Sequence, residues 1–406
     1  MPLQKSDNNF RLTRTCCYMC FIIQAIIINF PPILFLTFSQ SYGIELSKIA
    51  LLVIINFSMQ FIIDCLAAIF SSRINYRATV ITANLLSAIG LILLGILPDT
   101  FSDPYIGLVI ATLVSAIGSG LIEIIGNPIM QSCPKPKNSF SMGFLHSFYS
   151  WGHLGVVLVS TFFLLCFGHE NWQAMSLLWA IVPAVNAVLF SFAPINQPSA
   201  ELESTSSISS LAKTGVFWIF IFMMVLAGAC EQAMAQWAST FAETTLLGIN
   251  IPADSAKLFG DLLGPCVFAL TMAITRVIYP KTGEKFDLRR LMIFCSALCL
   301  ACYLVASISN NAFVSLIGCG ICGFSVGIMW PGILDIAGKT CMFVGTGFFA
   351  MLSLAGDIGC TTGPALVGLT ADALGGDLGV GMLLGAMFPA LLVILLLIFK
   401  PNKQQR

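Results

Sequence analysis

Charged side chains are scarce in this sequence. Asp, Glu, Lys and Arg together make up 9% of its 406 residues, whereas a soluble domain carries about 25%. Hydrophobic residues account for 57% of the chain, so it cannot cover itself with enough polar surface to dissolve in water. The formal net charge is +0, which gives no basis for binding nucleic acid. These shortages predict a protein that lies in a lipid bilayer.

Histidine is also rare, with 3 residues, and the sequence has neither a Walker motif nor a His-Glu-x-x-His motif. It therefore gives no support to an ATP-driven pump or to an intramembrane metalloenzyme. Cysteine is common, and Cys299-x-x-Cys302 followed by Cys319-x-x-Cys322 resembles a zinc-site spacing. Buried free Cys behaves as a small hydrophobe. We therefore expect these thiols to pack between helices, and we predict no metal and no cofactor.

Long apolar segments follow one another along almost the whole chain, separated by short polar loops. A helix needs about 20 apolar residues to cross roughly 30 Å of hydrocarbon. Twelve segments meet this requirement: residues 15–40, 46–70, 78–97, 105–130, 139–167, 172–194, 214–247, 255–279, 291–308, 312–338, 341–371 and 378–399. The sequence therefore predicts an all-α polytopic membrane protein with twelve transmembrane helices, numbered here as spans 1 to 12.

Lysine and arginine are unevenly divided between the two sides of the predicted bundle. If the spans alternate, only Lys48 and Lys257 lie on the side away from the N-terminus, and Arg276 lies inside span 8. Every other Lys and Arg falls on the side of the N-terminus. Because basic loops stay in the cytoplasm, we predict that both termini are cytoplasmic and that the protein resides in the cytoplasmic (plasma) membrane.

A polar, serine-rich stretch at 195–213 separates six spans from six spans and is typical of a cytoplasmic linker. Small residues and prolines recur across it at nearly one spacing. The same residue type is found 203 positions later for Gly120, Ile125 and Pro128. It is found 204 positions later for Gly143, Phe144, Gly152 and Gly155. We therefore predict two parallel six-helix repeats, residues 1–194 and 214–406. Parallel repeats of this kind rock about a site near the membrane midplane.

Six plus six spans, a central linker and a basic loop after span 2 resemble the major facilitator superfamily. That family's loop motif runs Gly-x-x-x-Asp-Arg-x-Gly-Arg-Arg. The segment here keeps Arg73 and Arg77, while Ala68, Ser72 and Asn75 replace the two glycines and the aspartate. The resemblance implies a transporter that works by alternating access, and it implies a gating or structural role for Arg73 and Arg77.

Span 4 carries a polar stripe on one helical face, whose successive members are four positions apart: Ser115, Ser119, Glu123 and Asn127. Ionisable groups inside a span are costly, so Glu123 is a candidate for function. The segment Glu123-x-x-x-Asn127-Pro128 is similar to the fourth-span motif of bacterial fucose permeases and related sugar transporters. The resemblance implies that Glu123 couples proton movement to transport. Those permeases also place an acid in span 1, whereas this chain has Gln24 and Asn29 there.

Other spans also carry polar or aromatic residues at helical spacing, and Glu231 in span 7 is a second candidate for proton coupling. Residues expected to bind the solute, besides Gln24, Asn29 and Asn127, are Asn56, Gln60, His146, Tyr149, His153, Gln232, Gln236, Trp237, Trp330 and Asp357. Aromatic rings beside amides suit the apolar faces and hydroxyls of sugars. Three alternatives stay open: packing roles for the histidines, a membrane-interface position for Trp237, and a latch between halves for Asp357. We expect Asp64 and Arg276 to act in gating or structure.

The leading hypothesis is a secondary active transporter that moves a small polar solute, such as a sugar, by alternating access with proton coupling. An exporter of drugs or other lipophilic compounds, or a uniporter, is the main alternative. An intramembrane enzyme and a receptor built on a transporter fold are weaker alternatives. The expected partners are the solute, protons and the lipid bilayer. The short loops predict a monomer and no interaction with nucleic acid.

Overall fold

The computed structural model describes residues 10–70, 75–133, 142–196, 213–282, 286–340 and 346–399. Arg73 and most of the predicted linker lie outside these residues. We call residues 11–194 the first half and residues 214–399 the second half. The inner side is the side on which span 1 begins, which we predict to be cytoplasmic, and the outer side is the opposite one.

The described residues form helices that follow the predicted spans. Spans 1 to 6 are Arg11–Ile33 continued by Phe35–Tyr42, Leu46–Phe70, Tyr76–Ile96, Pro104–Ser132, Met142–Phe167 and Trp172–Phe192. Spans 7 to 12 are Gly215–Leu247, Ala253–Asp261 continued through Leu262–Cys266 to Val267–Thr282, Leu288–Ile308, Ala312–Thr340, Thr346–Ala373, and Leu378–Gly385 with Met387–Ile398. The fold is therefore helical where the structure describes it, as predicted.

Eleven helical segments among the described residues are long and apolar enough to cross a membrane. Span 11 is not one of them, since it carries Asp357, Asp372 and many small residues. Its 28 residues nevertheless extend for about 42 Å at 1.5 Å per residue, which exceeds the thickness of the hydrocarbon layer. It packs against spans 2, 7 and 12. Because its neighbours cover it, span 11 needs less apolar surface than a helix that faces lipid.

Span 1 is interrupted at Leu34, although the sequence predicted one continuous helix over 15–40. Pro31 and Pro32 lie just before the interruption. A proline has no N–H to donate to the carbonyl four residues earlier, so Pro32 leaves the carbonyl of Ile28 without a helical partner. Gln236 Nε2 of span 7 donates to this oxygen at 3.2 Å. The two prolines therefore create an acceptor on span 1 that the second half uses.

The halves contact each other along three pairs of spans: 2 with 11, 5 with 8, and 1 with 7. Within the second half, small residues let helices approach closely. A Cβ atom at Gly356 of span 11 would collide with the ring of Trp330 of span 10, and one at Gly228 would collide with the carbonyl of Gly356. Spans 7, 10 and 11 can therefore meet at one level only because these positions have no side chain.

Two arginines occupy matching positions in the halves. Arg77, at the start of span 3, donates to the carbonyls of Phe190, Ser191 and Ala193 at the end of span 6, at 2.8 to 3.0 Å. Arg289, at the start of span 9, donates to the carbonyls of Leu396 and Leu397 at the end of span 12, at 3.0 and 2.9 Å. At the repeat spacing of 204 residues, Arg77 corresponds to Lys281 in the sequence. Its structural counterpart is Arg289 instead, because the helix that follows the loop carries the arginine in both halves.

Candidate functional site

Charged side chains at the contact between the halves form three buried or half-buried clusters within the described residues, at different depths. The inner cluster, which we call the acid cluster, consists of Asp64 of span 2, Glu123 of span 4 and Asp357 of span 11. The central one is an ion pair between Glu231 and Arg276. The outer one, which we call the Lys257 cluster, surrounds that lysine near the outer ends of spans 5, 7 and 8.

In the acid cluster, one carboxyl oxygen from each of the three residues lies within 4.8 Å of the others. Gln24 of span 1 donates its Nε2 to Glu123 Oε2 at 2.8 Å. Asp357 is 4% exposed, and Asp64 and Glu123 are half-buried. Asp64 Oδ1 and Asp357 Oδ2 have no hydrogen-bond partner among the described residues. The cluster therefore combines four spans from both halves around oxygens with free acceptor capacity.

Three negative charges at this separation repel strongly in a low-dielectric interior. No Lys or Arg forms an ion pair with any of the three within the described parts of the chain. The cluster is therefore stabilised when protons, or a bound cation, neutralise part of its charge. Three carboxylates within reach of one point also satisfy the ligand chemistry of a hard cation. The arrangement is suited to taking up and releasing positive charge.

Two members of this cluster, Asp64 and Asp357, were singled out from the sequence, and the structure shows what each of them meets. We expected Asp64 to act in gating or structure, and the structure brings it to two other carboxyls. At the repeat spacing of 204 residues, Asp357 corresponds to His153 in the sequence, which fits either a shared cavity or a latch between the halves. His153 lies instead at the contact of spans 5 and 8, with its ring 6.1 Å from that of Phe268. The aligned residues therefore occupy equivalent contacts between the halves and do not meet.

At the centre, Arg276 Nη2 donates to both carboxylate oxygens of Glu231, at 3.0 and 2.9 Å. Arg276 Nη1 also donates to Ser150 Oγ of the first half at 3.2 Å. The side chains of Arg276 and Glu231 are only 12% and 5% exposed. We expected Glu231 to be a proton-coupling carboxyl and Arg276 to act in gating or structure. The structure pairs these two residues, so that they neutralise each other across spans 7 and 8.

Four of the predicted solute-binding residues of spans 1, 5 and 7 lie near this ion pair: Asn29, Tyr149, Gln232 and Gln236. Tyr149 places its ring 5.9 Å from the Arg276 guanidinium and accepts a hydrogen bond from Asn29 Nδ2 at 3.2 Å. Gln236 Nε2 donates to Gln232 Oε1 at 3.2 Å, and both amides are buried. Amides and a hydroxyl beside a guanidinium can bind a solute with several hydroxyl groups.

His146 and Trp330 lie closer to the inner side. His146 is exposed, and its ring meets that of Phe21 edge to face at 5.0 Å. Trp330 is half-buried and lies over Gly356, next to Asp357 in the chain. A solute that reaches the central ion pair from the inner side would therefore pass an imidazole and an indole.

Trp237 is fully buried, which removes the alternative of a membrane-interface residue. Its Nε1 donates to the carbonyl of Pro364 in span 11 at 2.9 Å, and its ring lies 5.4 Å from that of Phe35 in span 1. In this conformation the indole joins spans 1, 7 and 11 and does not line an open cavity. We therefore assign it to the packing that closes the outer side.

The remaining predicted solute-binding residues of spans 2 and 4 have different surroundings. Asn56 lines a cavity of about 40 Å³ together with Thr112, Ser115 and Gln236. Gln60 is buried, and its Nε2 has no hydrogen-bond partner within the described residues; the same holds for Oδ1 of half-buried Asn127. The cavity beside Asn56 is large enough for a few water molecules. The unpartnered atoms of Gln60 and Asn127 separately have spare hydrogen-bonding capacity.

The Lys257 cluster was not predicted. Lys257 is 2% exposed, and its Nζ lies 3.3 Å from both Glu243 Oε2 and Asp261 Oδ2. The sequence placed Lys257 at the outer membrane surface, because it lies only two residues inside its predicted span. The available signal was the four-residue spacing to Asp261, which puts an acid on the same helical face.

The cysteine pairs do not form a four-thiol site among the described residues. Cys299 and Cys322 bring their sulfur atoms to 3.7 Å, and all four cysteines of the pattern are buried and free. The thiols pack at the contact of spans 9 and 10. This agrees with the expectation that they fill space between helices.

Comparisons with known proteins agree with this architecture. The family model described as Major Facilitator Superfamily matches residues 15–364, whereas no curated protein matches the chain. A solved structure of a single-residue mutant of the nucleoside transporter NupG has a TM-score of 0.74 and 12% identity. The similarity covers 96% of this chain and 99% of that one.

The E. coli fucose:proton symporter FucP, also as a mutant, has a TM-score of 0.64 and 18% identity. Here the similarity covers 98% of this chain and 100% of that one. Identities this low bear on the fold alone. The family match covers well over half of the chain and agrees with the twelve predicted spans. This protein is therefore a multi-pass integral membrane transporter, not an enzyme, and it belongs to the major facilitator superfamily.

Proposed function

We propose that this chain is a secondary active transporter that moves a small polar solute, and specifically a sugar or sugar-containing compound, together with protons. The acid cluster is the observation that carries the proposal. Glu123 and Asp64 come from the first half and Asp357 comes from the second half. Any change in the charge of this cluster therefore acts directly on the contact between the halves.

Glu123 is the coupling residue in this proposal. It is the deepest carboxyl of the first half, and Gln24 orients it with a hydrogen bond. Loss of a proton from the cluster would leave additional negative charge between spans 2, 4 and 11, and the repulsion would favour separation of the halves on the inner side. Proton binding would favour closure. Proton movement and conformational change are thereby linked.

Glu231 has a different part in the proposal. Arg276 neutralises it and also contacts the first half through Ser150. A proton on Glu231 would have to replace its ion pair with Arg276. Glu231 could therefore couple transport to protons only if the solute displaced the arginine. We propose that a hydroxylated solute binds beside this pair, between Tyr149, Asn29 and the amides of span 7.

The nature of the solute follows from these groups. Buried amides, a phenol and a guanidinium satisfy hydroxyl groups, and a hydrophobic drug would leave them unpaired at considerable cost. The solutes of NupG and FucP, a nucleoside and fucose, both contain a hydroxylated ring, which adds support of the same kind. We further propose that residues 1–194 and 214–406 move as two six-helix units joined by the linker 195–213.

The test is uptake of labelled monosaccharides and nucleosides into proteoliposomes, with and without an imposed inward proton gradient. The native chain is compared with Glu123→Gln and with the control Glu45→Gln, which changes an exposed glutamate at the outer end of span 2. We expect the gradient to stimulate uptake in the native chain and the control. Glu123→Gln should lose this stimulation and keep solute exchange without a gradient.

Uptake of a sugar that neither the gradient nor Glu123→Gln affects would indicate a uniporter. If no sugar or nucleoside is taken up but lipophilic cations or dyes are transported, the exporter alternative is favoured. Either result would overturn the proposal.

A further inference from the structure

The Lys257 cluster joins charged and polar groups from both halves close to the outer side. Lys257 Nζ contacts Glu243 and Asp261 and also donates to Ser239 Oγ at 3.1 Å. Ser239 in turn donates to Asp261 Oδ1. All four of these residues belong to spans 7 and 8 of the second half, so the lysine and both acids are matched inside one half.

Two further hydrogen bonds connect this set to the first half. Thr161 Oγ1 of span 5 donates to Asp261 Oδ2 at 2.8 Å. Lys257 Nζ donates to the carbonyl of Ile33 at 2.6 Å, and this carbonyl lies next to the interruption of span 1 at Leu34. The first half therefore contributes only neutral groups, one hydroxyl and one carbonyl.

The burial of the cluster indicates that the outer side is closed here. Asp261 and Thr161 are 0% exposed, and Lys257 is 2% exposed. A site of such charge density excludes water only while spans 1 and 5 cover it. If the halves separate on the outer side, these two hydrogen bonds break, together with the solvent-exposed contact of His169 Nε2 with Asp254 Oδ1 at 3.4 Å, and water reaches the lysine and the acids.

We infer that the Lys257 cluster is the outer gate of the transporter, held shut by the Thr161–Asp261 and Lys257–Ile33 hydrogen bonds. The division of charge makes the gate reversible. When it opens, each charged group of the cluster keeps a partner in its own half, so no buried ion is left unpaired and the cluster releases only neutral groups of the first half to water. A charge pair split between the halves would cost far more to separate.

This inference rests on the alternating access of the proposed function but not on the solute or on protons. Its test is hydrogen–deuterium exchange of the full chain in lipid nanodiscs without solute. Thr161→Val removes the hydroxyl between the halves, while Asp261 keeps Lys257 and Ser239. We expect the ratio of outward-open to outward-closed molecules to rise roughly tenfold or more, the typical effect of losing one hydrogen bond to a charged group.

The expected result is faster exchange at the outer ends of spans 1, 5, 7 and 8, with slower or unchanged exchange at the inner ends. Two variants serve as controls. Thr161→Ser keeps the hydroxyl and should match the native chain. Ser239→Ala removes a hydroxyl from the same aspartate, but from within the second half, so it should not change the balance between the two states.

The inference fails if Thr161→Val leaves exchange at the outer ends unchanged. It also fails if Ser239→Ala opens them equally, because the contact would then stabilise the fold without gating. Should Thr161→Val raise exchange at both ends, as for an unfolded protein, Thr161→Ala repeats the comparison with a smaller side chain. The exchange measurement uses no solute. It can therefore be interpreted even if the proposal of sugar–proton transport fails.

Discussion

At the scale of single residues, Glu231 and Arg276 show how this protein places full charges inside a membrane. Each is nearly buried, and the guanidinium donates to both carboxylate oxygens. This geometry recovers part of the large cost of removing two ions from water, but it does so only while both partners are present.

A double-mutant cycle tests this dependence. Arg276→Gln leaves Glu231 as an uncompensated buried charge, so we expect a loss of about 3–5 kcal/mol in the free energy of unfolding. Glu231→Gln should cost a similar amount, while the double variant Glu231→Gln/Arg276→Gln should recover most of the loss. Thermal unfolding in detergent provides the measurement. Additive losses in the double variant would show that the pair does not act as a unit.

Some site residues were predictable from sequence and others were not. Glu123 and Glu231 stand out because carboxyls in the middle of apolar segments have few structural explanations. Asp261 was missed because it lies near the end of its span, where acids are common. The partner of Glu231 could not be predicted, since Arg276 comes from a different span and only the packing of spans 7 and 8 brings them together.

At the scale of whole helices, spans are joined through their ends as well as through their sides. The last carbonyls of a helix have no partners within it, and a nearby cation stabilises them. Arg77 and Arg289 provide that cation for spans 6 and 12. The basic loop after span 2 thus has a structural task within the first half, which the loop motif alone does not reveal.

Removal of either arginine should have the same effect. We expect Arg77→Gln and Arg289→Gln each to lower the free energy of unfolding by about 1–2 kcal/mol, because two or three carbonyls lose a charged donor near the surface. Arg290→Gln is the control, since Arg290 is exposed and reaches Asp287 only at 3.7 Å. The measurement is the melting temperature of each purified variant, compared with that of the native chain. A drop for Arg290→Gln equal to that for Arg289→Gln would contradict the capping role.

Helix positions were the most predictable part of the fold, because long apolar segments have no other stable structure in lipid. The interruption of span 1 was missed even though Pro31 and Pro32 were visible. Prolines are tolerated inside membrane helices when neighbours satisfy the freed carbonyls. Whether they bend or break a helix therefore depends on residues such as Gln236, which lies more than 200 positions away.

At the scale of the whole molecule, the three polar clusters lie at successive depths between the same two halves. The acid cluster joins spans 2 and 4 to span 11, the central pair reaches span 5 from span 8, and the Lys257 cluster joins spans 1 and 5 to spans 7 and 8. The parallel repeat predicted two halves. It could not predict this order of clusters, because the residues involved are not repeat equivalents.

The two-unit organisation predicts that the chain can be cut in its linker. We expect residues 1–204 and 205–406, produced together as separate chains, to assemble and restore uptake of the transported solute. Either fragment produced alone should give no uptake, because the acid cluster needs Asp357 as well as Glu123. Co-purification of the fragments and proteoliposome uptake measure the outcome. If both fragments are expressed normally but do not assemble, the result would argue against two halves that fold as independent units.

The pairing of Lys257 with Asp261 also bears on how the protein enters the membrane. The two residues are four positions apart on one helix, so they can neutralise each other before any other helix is in place. Span 8 can therefore leave the ribosome and partition into lipid as a segment without net charge at that level. Spans 1, 5 and 7 are synthesised earlier, so the carbonyl of Ile33, the hydroxyl of Thr161 and the carboxylate of Glu243 are already present when it arrives. The order of synthesis thus supplies each buried charge with its partners at the moment of insertion.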